Sequence, residues 1–483
     1  MDMVGALSLK LPPRASRTLR TALYTQFRDA ILDGRIAAGE QLPASRRLAA
    51  QIRRSRKSVV TTYDRLIAEG LAEARAGAGV FVLPQSKGDP GHGQTPPRWL
   101  AVRREARSQP TSSPDWQCRF DLRPGVPETA QFPFDVWGRL VGRALRSFSR
   151  TSPRYREPAG HPALREAIAG HLAFSRGFSC SPEQVIVTTG AQQAVDLIAR
   201  CFAAGGRLVA VEDPGYPAIG AAFSSRAAKI AHVPVDESGL VVARVPDQTR
   251  IICVTPAHQF PIGVPLSPGR RRKLLELARK TDAIIVEDDF GGEFRFNASP
   301  GESLYRADTH GRVFFIGTFS LSMLPALRIA YVITPNWAVP MLTEAREALD
   351  WHGPAIEQAA LAAFISEGHL ARHIRRMRRV YGDRRLELLR ALQAHCPTLL
   401  SVMGGTGGLH LAAMARGACD LEAWQRSAAE RGVAVDLLEQ YSFALPKCRG
   451  FALGLGKIPL ESIDQAIASL CLSAPVQRSS LLS

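Results

Sequence analysis

Residues 185 to 202 read VIVTTGAQQAVDLIARCF, a short apolar strand that runs through a glycine turn into a helix, and this unit decides the fold class. Downstream the same alternation continues through LVAVE (208–212), PAIGAAF (217–223), IICVT (251–255), SPGRRRKLLELARK (267–280), AIIVED (283–288), VFFIGT (313–318) and RIAYVIT (328–334). Short apolar strands alternating with helices predict an α/β domain with a mostly parallel sheet. Ligands of such sheets bind beyond the strand C-termini, which is where the unusual residues of this chain fall.

Four groups sit at those ends. In TTGAQQ (188–193) a glycine turn opens a helix, whose backbone amides either cradle a phosphate or need the glycine for the turn alone. EDPGYP (212–217) puts Tyr216 on a turn, with its ring available to a flat heterocycle if the turn has any ligand role. In IIVEDDFGGEF (284–294) a strand ends in Glu287, Asp288 and Asp289, carboxylates suited to a protonated ring nitrogen or simply to capping and solvating the strand end. GTFSLSMLPALRIAY (317–331) offers Ser320 and Arg328 to a phosphate oxygen. His258 and Gln259, in TPAHQFPIG, either line a pocket or form a turn.

The N-terminal part has a different pattern. RTLRTALYTQFRDAILDG (17–34) carries Leu19, Leu23, Phe27, Ile31 and Leu32 at helical spacing, with Gly34 as a stop. GEQLPASRRLAAQI (39–52) predicts a short helix opened by Pro43, with Leu48, Ala49 and Ile52 inward. After a turn at Arg53 and Arg54, SRKSVVTTYDRLIAEG (55–70) gives a second helix with Val59, Tyr63, Leu66 and Ile67 on one side. LAEARAGAGVFV (71–82) reads as two strands around a Gly77/Gly79 tip. Two helices joined by a tight turn, followed by a wing, form a winged helix-turn-helix.

Charge agrees with that reading. The chain has 483 residues and a formal net charge of +17. Residues 1 to 110 hold 19 Lys and Arg against 9 Asp and Glu, a surplus of 10, which points to a polyanion partner for that end. Residues 86 to 118, rich in Pro, Gly, Ser and charge, read as a flexible linker. No apolar run approaches the roughly 20 residues needed to span a bilayer, and the N-terminus lacks a signal-peptide core, so the expected location is the cytoplasm and no membrane partner is expected. Eight scattered cysteines, without a Cys-x-x-Cys or a Cys/His cluster, suggest neither a disulfide framework nor a metal site. The basic helix expected over 369–390 has charges for DNA, for a partner subunit, or for solvent alone.

Residues Leu23 to Val82 resemble the GntR family of winged-helix regulators, through LPASRRLA (42–49) and SRKSVVTTYDRLIAEG (55–70). That resemblance implies that Arg46, Arg56 and Ser58 meet phosphates or base edges, that Gly77 lets the wing approach the minor groove, and that Arg54 and Lys57 are nonspecific phosphate contacts. From about Tyr155 to Gly456 the order of phosphate turn, aromatic, carboxylate and serine–arginine segment resembles fold-type I aminotransferases, which use pyridoxal 5'-phosphate (PLP). REPAGHPALREAI (156–168), TPAHQFPIG (255–263), EDDFGGEF (287–294) and ISEGHLARHIRRMRRVYGDRR (365–385) are similar to the MocR/GabR-type regulators, in which both modules are fused.

The resemblance implies a phosphate cup of Gly190, Ala191, Gln192, Ser320 and Arg328, with Tyr216 stacked on the pyridine ring and Asp288 facing its nitrogen. It also exposes two departures. Leu321 stands where the family has its imine-forming lysine, and Phe290 where it has a tyrosine; Lys229, Lys273, Lys280, Lys447 and Lys457 fall outside the matched segment. Leucine has no nitrogen with which to form an imine. Arg449 is a further candidate for an effector carboxylate.

The expected architecture is therefore a winged helix-turn-helix over 1–85, the linker over 86–118, and over 119–475 a fold-type I aminotransferase-like body with a large, mostly parallel sheet and a smaller α+β C-terminal subdomain. The expected function is a homodimeric, DNA-binding transcriptional regulator. Its body would sense a small effector (PLP, pyridoxamine phosphate, an amino acid–PLP adduct or another anion) without a covalent bond to lysine and without transaminase activity. A PLP-dependent aminotransferase with an accessory DNA-binding domain and a ligand-blind DNA-binding dimer are the alternatives.

Overall fold

The structure, a computed structural model, describes residues 11–12, 19–84, 118–150, 154–296, 303–404, 407–444 and 448–475. They fall into two compact units, one on each side of the expected linker. That linker lies outside the described residues except for Cys118.

In the N-terminal unit, α1 (Leu19–Leu32) buries Leu23, Tyr24, Phe27, Ala30 and Ile31, a stripe at helical spacing. Leu32, expected inward, is 41% exposed; Tyr24 and Ala30 complete the buried face instead. Helix α2 (Ser45–Gln51) ends at Ile52, and Arg53 takes a left-handed φ of 51° to make the turn. Ser55 then caps α3 (Arg56–Ala68), accepting a hydrogen bond from the Ser58 amide at 3.3 Å. Tyr63 fastens the three helices. Its ring meets Phe27 edge-on at 5.9 Å, and its hydroxyl donates to the Pro43 carbonyl at 2.9 Å. The wing is an antiparallel hairpin of β1 (Ala72–Arg75) and β2 (Gly79–Val82), turned at Gly77 with φ of 72°.

The second unit is built on an eight-stranded sheet. Its strands are β3 (Val185–Thr188), β4 (Leu208–Asp213), β5 (Lys229–Asp236), β6 (Gly239–Leu240), β7 (Thr249–Val254), β8 (Ile284–Asp288), β9 (Val313–Thr318) and β10 (Ala330–Ile333), in the order β3-β10-β9-β8-β7-β4-β5-β6. The block β5-β4-β7-β8-β9 is parallel, whereas β10 runs antiparallel to both β9 and β3, and β6 antiparallel to β5. The sheet is thus mixed, with every strand but β6 and β10 pointing the same way. Alternate side chains of β8 go to opposite faces: Ile284 and Val286 join Val195, Ile198 and Phe223 on one side, while Ile285 joins Leu274 and Ala278 on the other.

Helices cover both faces. Those used below are α4 (Phe134–Phe148), α5 (Pro162–Ser175), α6 (Ala191–Phe202), α7 (Pro217–Ser224), α8 (Pro268–Thr281), α9 (Val339–Asp350), α10 (Ala355–Ser366) and α11 (His369–His395). The smaller C-terminal subdomain has an antiparallel sheet of β11 (Leu400–Met403), β12 (His410–Ala415), β13 (Asp436–Leu437) and β14 (Gly450–Gly454), in the order β11-β12-β14-β13. Helix α11 belongs to both parts. Leu370, Ile374, Met377 and Tyr381 lie in the core of the large sheet, and Leu388, Ala391 and Leu392 in that of the small one. Between them Arg384 is buried, donating to the carbonyls of Leu455 (3.0 Å) and Gly456 (2.7 Å) and pairing with Glu128 at 2.6 Å. No described helix is long and apolar enough to cross a membrane.

Replacing Ser55 by alanine leaves an amide of α3 without its cap and should destabilise the N-terminal unit by about 1 kcal/mol. Faster hydrogen exchange across α3 than in the parent chain, with the body unchanged, is the expected readout.

Candidate functional site

Because β3, β4, β7, β8 and β9 share one direction, the residues after their C-termini meet along one edge of the sheet. Gly190, Tyr216, His258 and Ser320 follow such ends, Asp288 is the last residue of β8, and Arg328 reaches the same edge because β10, which it precedes, enters there in the opposite sense.

At the first strand end Gly190 precedes α6 with φ of 104°, in the region that favours glycine. A Cβ there would fall 2.4 Å from Nη2 of Arg328, so the guanidinium lies directly over the glycine. Arg328 takes a φ of 50° and donates to the Thr189 carbonyl at 3.1 Å. Ala191 is half-buried and Gln192 exposed in the first turn of α6. Gln193 braces the turn: its Oε1 accepts from the Thr189 amide at 2.8 Å, and its Nε2 donates to Asp350 at 3.1 Å. Ser320 is half-buried, with its Oγ accepting from the Thr318 hydroxyl at 3.0 Å. Here the free N–H groups of a helix start and a guanidinium converge, an arrangement that attracts an anion.

The carboxylates at the end of β8, Glu287, Asp288 and the following Asp289, depart from the expectation of capped or solvated groups in one respect: all three are buried. Glu287 does cap a helix, accepting from the amides of Leu304 (3.2 Å) and Tyr305 (2.8 Å). Asp289 joins a buried ion cluster with Arg176 (2.6 Å) and Arg295 (3.7 Å), and Arg176 also pairs with Glu293 at 3.1 Å. Asp288 receives no hydrogen bond from any described residue. Burial, then the nearby charges of Asp289 and Glu212, push its carboxyl up to about 7. Glu212, at the end of β4, is likewise pushed to about 7 by burial, against the opposing donation of the Thr255 hydroxyl at 2.5 Å.

Aromatic rings fill the middle of the edge. Phe260 touches Tyr216 (centroids 5.9 Å), Phe290 (5.4 Å), His410 (5.2 Å) and Tyr441 (4.8 Å), all edge-on. His258 and His410 are buried 4.6 Å apart; burial holds His410 down to about 4 and His258 well below its usual value, so both are neutral. Gln259 forms a turn, with Nε2 donating to the carbonyls of Phe260 (2.6 Å) and Pro214 (2.7 Å). Leu321 is 4% exposed in the core with Phe319 and Met323, and a Cβ on Gly291 would lie 3.8 Å from its Cδ1.

Arg449 is elsewhere. It is exposed, donates to the Cys419 carbonyl, and lines a separate cavity of about 570 Å³ with Glu439 and Arg426. The sequence reading also missed Arg176, Glu293 and His410. Glu293 lay within EDDFGGEF, but nothing local marks Arg176 as the partner of a residue 113 positions away.

In the N-terminal unit Arg46, Arg56 and Lys57 are exposed at the starts of α2 and α3, with Arg56 Nε donating to Ser45 Oγ at 3.3 Å. Gly77 is exposed at the wing tip. Two expected contacts are differently engaged. The hydroxyl of Ser58 lies 2.9 Å from Ser55 Oγ and the residue is 8% exposed. Arg54 is half-buried and donates to the Pro12 carbonyl at 2.8 Å. No group of three or more His, Cys, Asp or Glu suited to a metal occurs among the described residues.

Known proteins share both units. Residues 129–455 match the aminotransferase class I and II family, and residues 19–82 match the gntR family of bacterial regulatory proteins. The chain is 35% identical over 479 residues to the probable rhizopine catabolism regulatory protein MocR of Rhizobium meliloti, covering 96% of this chain and 95% of that protein. With the pyridoxine biosynthesis transcriptional regulator PdxR of Corynebacterium glutamicum it shares 32% identity over 468 residues, 97% and 98% of the two chains. Kynurenine aminotransferase of Pyrococcus horikoshii superposes with a TM-score of 0.69 at 26% identity, covering 74% of this chain and 91% of that one.

Two outcomes are expected of this site. The folded protein holds a proton on Asp288 more tightly than the unfolded chain, so this group's stabilising contribution is complete below about pH 4 and is lost as pH rises to about 7. Asp288→Asn should therefore exceed the parent in stability above pH 7, by on the order of 1–4 kcal/mol, and match it near pH 4, as read from urea melts. Arg176→Met leaves two carboxylates without their buried partner and should cost about 3–5 kcal/mol in the same melts.

Proposed function

We propose that this chain, which belongs to the gntR family of regulators that carry a class I and II aminotransferase domain, is a DNA-binding transcriptional regulator whose body receives a PLP-like ligand without a covalent bond to it. Residues 1–85 form the DNA-binding module, 86–118 the tether and 119–475 the sensing body. The observation that carries this reading is the contrast along one edge of the sheet: groups suited to an anion and to a cationic nitrogen are present, while Leu321 fills the place of an amine.

The fit divides by end. Gly190 and Arg328, with the first amides of α6 and Ser320, suit a phosphate. Asp288 is a buried carboxylate without a donor among the described residues, and a protonated ring nitrogen would stabilise its charge. Tyr216 stands edge-on to Phe260 at 5.9 Å, and its ring would be the one to stack on a bound pyridine. The imine end does not fit. Leu321 and Phe290 are hydrocarbon, Lys229, Lys273 and Lys280 are exposed, Lys457 is engaged by Asp121 at 2.8 Å, and Lys447 lies outside the described residues. Bound PLP would bring an aldehyde and an electron-accepting ring, and the side chain at position 321 offers that aldehyde no amine. Its residues hold and orient; they do not turn over.

In the same reading the body forms a homodimer. Tyr155, 77% exposed, stacks on Trp351 at 4.9 Å, and Trp351 follows Asp350, which accepts from Gln193 of the phosphate turn. An exposed aromatic stack at the rim of an anion site is a surface that a second copy would cover. A dimer pairs two winged helices on repeated half-sites, and an effector acts on it to the extent that it binds two states unequally.

Calorimetry with PLP and with pyridoxamine phosphate should show saturable binding of at least one, weakened about tenfold or more by Arg328→Ala. Borohydride should fix no label on the parent. Leu321→Lys should acquire imine absorbance and a reducible adduct. No heat with either compound would favour a scaffold, and a reduced adduct on the parent would favour the enzyme. For the regulator role, the protein should protect a discrete segment of DNA upstream of its own coding sequence, and Arg56→Ala should abolish that protection.

A further inference from the structure

One face of the body collects eight exposed arginines. Arg139, Arg143 and Arg146 lie on α4 and Arg150 two residues past its end, at intervals of four, three and four, which keep them on one side of a helix with 3.6 residues per turn. On the first half of α11, Arg372, Arg375, Arg376 and Arg379 form a second such stripe. The stripes adjoin. Arg143 pairs with Glu367, whose carbonyl accepts from Arg372 at 3.2 Å; Arg376 donates to the carbonyl of Gln131, just before α4; and the rings of Phe132 and His373 meet at 5.6 Å.

Little on these elements opposes the charge. Helix α4 carries one acid, Asp135, residues 369–380 carry none, and Glu367 is already paired with Arg143. A two-fold contact of this face with a second copy would set these arginines against their own counterparts, so a second copy is a poor partner for it. Rows of arginines about 5–6 Å apart suit a polymer of closely spaced phosphates, each guanidinium presenting a planar fork to two oxygens.

We propose that this face of the body binds the phosphate backbone of duplex DNA as a second contact besides the winged helix, an inference that rests on the DNA-binding role proposed above. The contact adds affinity and salt dependence without reading bases.

The test is the salt dependence of binding to one fixed duplex, taken from upstream of the protein's own coding sequence, using the full chain. Each phosphate contact contributes roughly 0.9 to the slope of log affinity against log salt, so the fourfold variant Arg139→Gln, Arg143→Gln, Arg146→Gln, Arg150→Gln should lower the slope by about 3. A charge-matched variant, Arg272→Gln, Arg279→Gln, Arg426→Gln, Arg431→Gln, should leave the slope within about 1 of the parent. Arginine-to-lysine changes at the four α4 positions should restore it, which separates lost charge from a lost fold.

An unchanged slope in the first variant overturns the proposal, as does an equal loss in both fourfold variants, which would mean diffuse charge. Binding of phosphatidylserine vesicles that depends on the stripe, with the DNA slope unaltered, would assign the face to lipid and also overturn it. Failure of the regulator reading is distinguishable: in that case the parent shows no discrete protection and Arg56→Ala changes nothing.

Discussion

Three consecutive carboxylates, Glu287, Asp288 and Asp289, end a central strand inside the protein, and much of the body is arranged around the cost of burying them. Their burial is inherent in the topology, because β8 lies in the middle of a sheet covered on both faces. Each is met differently. Glu287 receives the first amides of a short helix, and Asp289 receives Arg176 with support from Arg295. Asp288 receives neither, and burial together with the charges of Asp289 and Glu212 raises its affinity for a proton. Two of the groups fix the loop that follows the strand, and the third has no donor among the described residues.

The loop held in this way carries the residues that distinguish the site. Phe290 and Gly291 follow Asp289 directly; Phe290 packs on Phe260, and Gly291 is close enough to Leu321 that a methyl group there would touch it. Position 321 is therefore enclosed by hydrocarbon, whereas the ends of the edge at Gly190 and Asp288 stay polar. In the proposed reading, such a distribution suits recognition of a molecule by its charged extremities. It suits chemistry at the molecule's centre poorly.

Most of the architecture was legible from local pattern. The winged helix followed from helical spacing, a turn at Arg53 and Arg54 and a glycine tip, and the α/β body from strands alternating with helices. Leu32, apolar and at helical spacing, is exposed at the helix end, and Tyr24 and Ala30 complete the buried face. The sheet proved more mixed than the alternation implied, since β10 returns directly from β9 without an intervening long helix and must run antiparallel. Gly190, Tyr216, Asp288 and Arg328 were legible as turn and strand-end residues, but Arg176, His410 and the full burial of Glu287 were not. Those depend on contacts between residues far apart in sequence, which leave no periodic trace.

Helix α11 has a thermodynamic implication. Its first half is part of the large core and its second half part of the small one, with Arg384 pinned to two carbonyls and to Glu128 between them. A continuous hydrogen-bonded rod shared by two cores cannot be released from one without fraying in the other. The helix therefore couples the stability of the large sheet to that of the C-terminal subdomain, so that loosening either core weakens the other.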